Sequence, residues 1–289
     1  MLDRGDIGLQ RRGEEEFAVA DLKVLIHSDN DSVPVKVERF RYRSNAGSRR
    51  WEVKRILIRR REGTGHGLPW WTTDKVFSFE GYLCWIDYFR GILFCDVIDE
   101  YPELRYVELP VAPPEGNSDH PNFGRPDPFV TRSVCVMDGS TMRFVNVARA
   151  DGEIASKRNP GSRFTMTTWS LVTPLNSERI GWAMDGAVES ARLWTHDSYA
   201  ELRLPLLMPE FPFVSLREPD VIYAVPRERH CGDRKTWVLV IDMRRKALRS
   251  AVPYNEVEDF CGDGDEDERW PRVTSTITNP FFPACSPCS

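Results

Sequence analysis

The sequence predicts an all-β fold of stacked antiparallel sheets, and three observations carry that prediction. First, Gly81–Pro110 (GYLCWIDYFRGILFCDVIDEYPELRYVELP) holds two strongly apolar runs, Tyr82–Ile86 and Ile92–Val97, followed by a third strand, Arg105–Leu109. The two runs are apolar at successive positions, so both faces of their sheet must be covered. Second, only the DYFRG connection separates them, which is too short for a parallel crossover and fits an antiparallel hairpin. Third, the strand–turn–strand form recurs along the chain.

Element by element, the first sixteen residues read as a disordered tail, and Phe17–Ile26 admits a short amphipathic helix. Val35–Arg43 and Arg50–Ile58 are rich in β-branched and aromatic residues and flank the turn Asn45-Ala46-Gly47. Trp51 and Val53 alternate with Arg50, Glu52 and Lys54, predicting an outer strand with one wet face. Glu62–Gly67 is a flexible loop, and Val76–Phe79 leads into the apolar hairpin. Pro110–Pro128 reads as a long surface loop. Arg132–Asp138 and Met142–Val147 flank the strong Asp138-Gly139 turn signal, and Arg163–Val172 is a further strand. Ile180–Met184 reads as a strand and the following AVESARLW as one or two helical turns. Phe213–Leu216, Val221–Val225, Thr236–Met243 and Leu248–Val252 complete the strands, and residues 255–289 form an acidic, then Pro- and Ser-rich tail.

Laid over one another, FRYRSNAGSRRWEVKRI, LFCDVIDEYPELRYVELP, CVMDGSTMRFVNV and LVIDMRRKALRSAVP share an apolar strand, a small polar residue at its end, a turn and a second strand. The polar positions are Ser44, Asp96, Asp138 and Asp242, with Asp185 as a degenerate fifth. A side chain there can bond turn amides. The recurrence suits propeller blades of roughly 40–50 residues, which cover their faces only by stacking on neighbours. The prediction is therefore a β-propeller-like repeat over residues 17–254, small or incomplete as a ring, with a β-sandwich as the rival.

The composition narrows the function. A net charge of −5 argues against a general nucleic-acid binder, and the basic runs Arg59–Arg61 and Arg244–Lys246 read as solvated strand ends or turns. No apolar run is long enough to span a bilayer, and the charged N-terminus lacks the core of a signal peptide. The expected compartment is the cytoplasm or nucleus. Seven cysteines, an odd number, with Cys84, Cys95 and Cys135 inside apolar strands, fit buried thiols.

GYLCWIDYFRGILFCDV with the following PELRYVELP resembles the plant domain-of-unknown-function family DUF1618, found chiefly in grasses. The resemblance continues through Leu68–Val76, Arg132–Arg149, Phe164–Val172, Pro209–Val225 and Lys235–Tyr254. More loosely, the repeat is similar to F-box-associated propeller domains. The resemblance implies no catalytic residues, no cofactor and no metal to carry over. Some relatives place an F-box before the domain, for which this chain shows no room. Their longer N-terminal regions imply that this chain lacks a blade or more.

The signature residues of that stretch are Trp85, Asp87, Arg90, Gly91, Cys95 and Asp96, read as structural and as possible contacts. Asp87 is expected to cap the turn, Gly91 to allow its backbone geometry and Arg90 to pair with a neighbouring carboxylate. Asp96 with Asp99 and Glu100 reads as turn chemistry in preference to an acid/base pair. Cys285-Ser286-Pro287-Cys288 lacks a second ligand pair, and Asp263–Glu268 lacks the glycine and distal glutamate of a calcium loop. The five histidines make no metal or nucleophile–base pattern. The expectation is a protein-interaction module with an unidentified protein partner. The competing expectation is a carboxylate-dependent hydrolase or a carbohydrate binder, the latter requiring an exposed Trp70, Trp71 or Trp169.

Overall fold

The computed structural model describes residues 6–14, 16–25, 36–43, 52–59, 68, 71–112, 125–150, 162–172, 180–202, 204, 206–226 and 236–254. Its strands fall into four antiparallel meanders of four strands, each drawn from one contiguous stretch. The first is β1 (Gly8–Arg12), β2 (Glu16–Leu25), β3 (Lys36–Arg43) and β4 (Glu52–Arg59). The second is β5 (Lys75–Phe79), β6 (Tyr82–Asp87), β7 (Gly91–Cys95) and β8 (Leu104–Glu108). The third is β9 (Arg132–Met137), β10 (Thr141–Arg149), β11 (Phe164–Val172) and β12 (Gly181–Glu189). The fourth is β13 (Glu210–Val214), β14 (Val221–Val225), β15 (Thr236–Asp242) and β16 (Ala247–Tyr254). Two short helices, α1 (Ser190–Trp194) and α2 (Asp197–Glu201), bridge the third and fourth. The all-β expectation holds.

The hairpin β6–β7 explains why its strands are apolar at every position. Leu83, Trp85, Leu93 and Cys95 face a core shared with Ala18, Ala20 and Leu22 of β2. Cys84, Ile86, Ile92 and Phe94 face the opposite core, shared with Val134, Met142, Phe144 and Trp169 of the third meander. All eight of these hairpin side chains are buried, each worth about 1.5–3 kcal/mol if an ordinary large aliphatic or aromatic group. A third core joins Val145, Val147, Phe164 and Met166 to Val214, Ile222, Leu239 and Ile241, and Leu193 and Tyr199 of the helices seal it. The cores thus lie between meanders in series. Among the described residues, no such core joins the first meander to the fourth.

The first two meanders also meet through their last strands, where β4 and β8 pair in parallel at Ile58–Leu104 and Arg59–Arg105. Their first strands, β1 and β5, lie in contact, as do β9 and β13.

Several expectations change. The N-terminal tail contains a strand: Leu9 pairs with Val19 and Arg12 with Glu16, and Gln10 is buried because its amide bonds Gly81 O, Asp96 Oδ1 and Val97 N. The suggested helix at Phe17–Ile26 is instead the ten-residue strand β2, since its Ala18, Ala20 and Leu22 alternate inward at period two. In β4, Glu52 to Arg55 are all exposed, so its start has no dry face. AVESARLW divides, with Ala187 to Glu189 extending β12 and Ser190 opening α1.

The polar repeat also needs rephasing. Asp96 and Asp242 occupy the same place, the turn from third to fourth strand of their meanders. There Asp96 accepts from the Ile98 and Asp99 amides, and Asp242 accepts from Arg245 N at 2.8 Å and Arg249 Nε at 2.9 Å. Asp138 lies one hairpin out of phase, between first and second strands, and works by conformation. It and Gly139 have φ of +49° and +69°, the pair a type I′ turn requires, closed by Ser140 N to Met137 O. Asp185 belongs to no turn: it is the extra residue of a bulge in β12, between Met184 opposite Trp169 and Gly186 opposite Thr168. Ser44 lies outside the described residues, as do the glycine-rich loop at 62–67, Trp70, the acidic run at 263–268 and the C-terminal cysteine pair.

Candidate functional site

Among the described residues, a cluster of buried charged side chains lies at the β6–β7 turn, where the second meander meets the third. Asp87, the last residue of β6, is fully buried. Its Oδ1 accepts from Phe89 N at 2.9 Å and Arg125 Nη2 at 3.0 Å, and its Oδ2 from Thr72 N at 2.9 Å and Arg90 Nη1 at 3.0 Å. The bond to Phe89 N is the predicted turn cap, and the ion pair with Arg90 is the predicted pairing. Arg90 O in turn accepts from Leu109 N and the Tyr106 hydroxyl, tying the turn to the end of β8.

Gly91 serves a different purpose from the one expected. Its backbone is not in the left-handed region. A Cβ there would lie 2.4 Å from Val107 O and 2.5 Å from the Tyr106 ring, so the position demands the absence of a side chain.

Three further groups, distant in sequence, complete the cluster. Asp74, immediately before β5, accepts through Oδ2 from Tyr88 N at 2.7 Å and Arg125 Nη2 at 2.5 Å. Arg125 therefore bridges two carboxylates, with its guanidinium 4.4 Å from the centre of the Phe89 ring. Arg132, at the start of β9, lies against the same ring at 5.4 Å and donates to Tyr88 O, Ala112 O and Asn146 Oδ1. Tyr88 closes the junction, its hydroxyl accepting from Val134 N at 3.0 Å.

Burial dominates the electrostatics. Asp74 is pushed up to about 7, first by desolvation and then by the charge of Asp87, against the opposing pull of Arg125. Arg132 is lowered to about 10 by desolvation, with Asp87 resisting. Desolvation also raises the Tyr88 phenol.

The six signature residues are not one constellation. Asp87, Arg90 and Gly91 meet at the junction. Cys95 and Asp96 lie at the far end of β7, where Asp96 also pairs with Arg12. Trp85 sits fully buried between the ends and donates to Asp6 O at 2.8 Å. Asp99 and Glu100, close to Asp96 in sequence, are exposed, and Asp99 caps Tyr101 N. Asp74, Arg125 and Arg132 escaped sequence reasoning because no local pattern links residues 38 or 51 positions apart. Trp169 is buried and stacked on Phe144, and Trp71 is half-buried with its indole nitrogen on Thr73, so neither offers an open sugar platform. Cys84, Cys95 and Cys135 are buried free thiols, as expected. Of the histidines, His196 is described, and it caps α2. No helix among the described residues is long and apolar enough to cross a membrane.

Fold and junction together define an all-β protein of serially stacked meanders, locked at one seam by buried ion pairs. Residues 85–223 match the model of the DUF1618 family, described as a protein of unknown function, which supports the resemblance read from the sequence. The matched span runs from the middle of β6 into β14 and holds Asp87, Arg90, Arg125 and Arg132, while Asp74 precedes it. No curated protein matches the chain.

Proposed function

We propose that this chain is a non-enzymatic protein-interaction module built on propeller-like blades in a small or incomplete ring. Supporting the propeller reading, the first strands of neighbouring meanders run side by side, β1 with β5 and β9 with β13, although β4 and β8 also join the first two meanders into one eight-stranded sheet. The second and third meanders cover both faces by stacking on neighbours, as a blade does. The observation that carries the interaction reading is the outer rim between the second and third meanders. There Met184 is 65% exposed on β12, two residues from Trp182, whose indole nitrogen reaches Glu108 O of β8. Val172 at the end of β11 is also exposed. Met184 and Trp182 lie on one face of β12, and tryptophan is enriched among contact hot spots.

The hydrolase reading asked for two acids meeting in a concave pocket. At the junction the two acids that meet, Asp74 and Asp87, are turned inward and occupied by guanidinium and amide donors. The test compares partners captured by proximity labelling with the wild-type chain and with Met184→Glu. The charge should remove a reproducible partner while the thermal transition stays unchanged. A wild-type chain with no reproducible partner, or a partner set indifferent to Met184→Glu, would defeat the reading.

A further inference from the structure

We propose that Asp74 and Arg125 form a proton-operated latch on residues 125–131, the strap that leads into the third meander. With Asp74 ionised the strap is held firmly against the β6–β7 turn, and with Asp74 protonated that hold is weakened.

The geometry supplies each part. The strap contains no strand, only the 3₁₀ turn Pro128–Val130, which is capped by Asp127 and packs against β13 with Pro128 buried, and at its end Thr131 O accepts from Val147 N of β10. Its hold on the second meander is concentrated in two side chains. Arg125 binds Asp74 and Asp87 and covers Phe89, and Phe129 meets Tyr88 edge-on at 5.3 Å while remaining 40% exposed. On the side of the second meander the strap is thus held at few points, where local opening costs less than global unfolding.

The charges facing Asp74 explain why a proton would undo the hold. From the β6–β7 turn come Asp87, Tyr88 and Arg90, from the strap Arg125, and from β9 Arg132. On its own strand, Lys75 is directed elsewhere, its Nζ donating to Val134 O. Two carboxylates therefore share the Arg125 guanidinium, while Arg90 pairs with Asp87 and Arg132 acts through its charge. Once Asp74 is neutral, Arg125 loses one of its two ionised partners and keeps the Phe89 ring and Asp87, where Arg90 competes at Oδ2. The coupling is reciprocal. Arg125 is the charge that most lowers the affinity of Asp74 for a proton, so its departure makes protonation easier still, with burial and Asp87 left to act alone. Release and protonation reinforce each other. The Asp74 carboxyl, pushed up to about 7, places the transition near neutrality.

The test is hydrogen exchange on the full chain near pH 6 and near pH 8, corrected for intrinsic exchange, read at the amides of Asp127, Phe129, Val130 and Thr131. If Arg125 shifts Asp74 by one unit or more, strap protection should fall by at least about tenfold between the higher and the lower pH. Asp74→Asn should show the low protection at both. Over the same interval the strands β6 and β7 should gain protection, because neutralising Asp74 relieves a buried charge, and opposite movement of the two regions separates a latch from general loosening. Equal strap protection at both pH values in the wild type, or an Asp74→Asn strap as protected as the wild type at the higher pH, would overturn the proposal. The wild-type pH series decides by itself if the variant fails to fold.

Discussion

Replacing Asp87 by asparagine changes one oxygen to an amide and removes one charge, and the structure predicts a large effect. The carboxylate receives donors on both oxygens: two backbone amides and the guanidinium groups of Arg90 and Arg125. Asparagine can accept at one atom only, and its NH₂ must then point at either Thr72 N and Arg90 or Phe89 N and Arg125. Whichever orientation is chosen, two donors lose their acceptor inside a site with no exposure at Asp87. Breaking a buried ion pair by removing one partner costs about 3–5 kcal/mol, and an unsatisfied buried donor about 1–3 kcal/mol. With Asp74 still able to hold Arg125, we expect a loss of about 3 kcal/mol. Urea denaturation at neutral pH, followed by tryptophan fluorescence, measures it directly. Asp87→Ala should lose a similar amount, since asparagine rescues little. A loss below about 1 kcal/mol for Asp87→Asn would show that the junction's ion pairs do not hold the fold together and refute the reasoning.

Asp74 should behave in the opposite sense. Its carboxyl is raised from 3.8 to about 7 on folding, so its contribution to stability is complete below pH about 4 and is lost as pH rises towards 7, up to about 4 kcal/mol in total. Asp74→Asn should flatten that part of the stability–pH curve, which chemical denaturation at a series of pH values would reveal. Gly91→Ala drives a methyl into Val107 O and the Tyr106 ring and should cost about 2–3 kcal/mol, read as a lowered melting temperature. Asp242→Ala should cost about 1–3 kcal/mol by orphaning Arg245 N and leaving Arg249 with Glu218 alone, whereas Asp138→Gly should be neutral or slightly stabilising because that site needs φ > 0 and no side-chain bond. Equal effects at the two positions would restore the repeat phase that the strand order rejects.

Legibility followed the range of the forces involved. The hairpin at Tyr82–Cys95 could be read because strand period and turn length are local, and its two-sided burial follows directly from eight apolar positions. The β1 strand could not, since GLQRR carries one large apolar residue and owes its order to Gln10 reaching 71 to 87 residues ahead. Within the site, Asp87 and Arg90 were legible as a turn cap and its counter-ion, three residues apart. Asp74 and Arg125 were not, because a strand-start acid and a loop arginine become partners only when the third meander docks. The error in repeat phase has a similar origin: an Asp before a hairpin turn looks the same whether it bonds amides, as Asp96 does, or adopts a left-handed backbone, as Asp138 does.

Because each hydrophobic core is shared between neighbours, no meander owns a complete one. A fragment ending near Ala112 would keep the Ala18–Trp85 core but leave Cys84, Ile86, Ile92 and Phe94 facing water. The smallest unit able to fold is then a pair of adjacent meanders, and any cut or fusion along this chain exchanges one satisfied face for one sticky face. Sequence drift in one meander is correspondingly tied to its neighbours: a substitution at Phe144 is answered across the seam, at Ile86 or Phe94, and not within its own sheet alone.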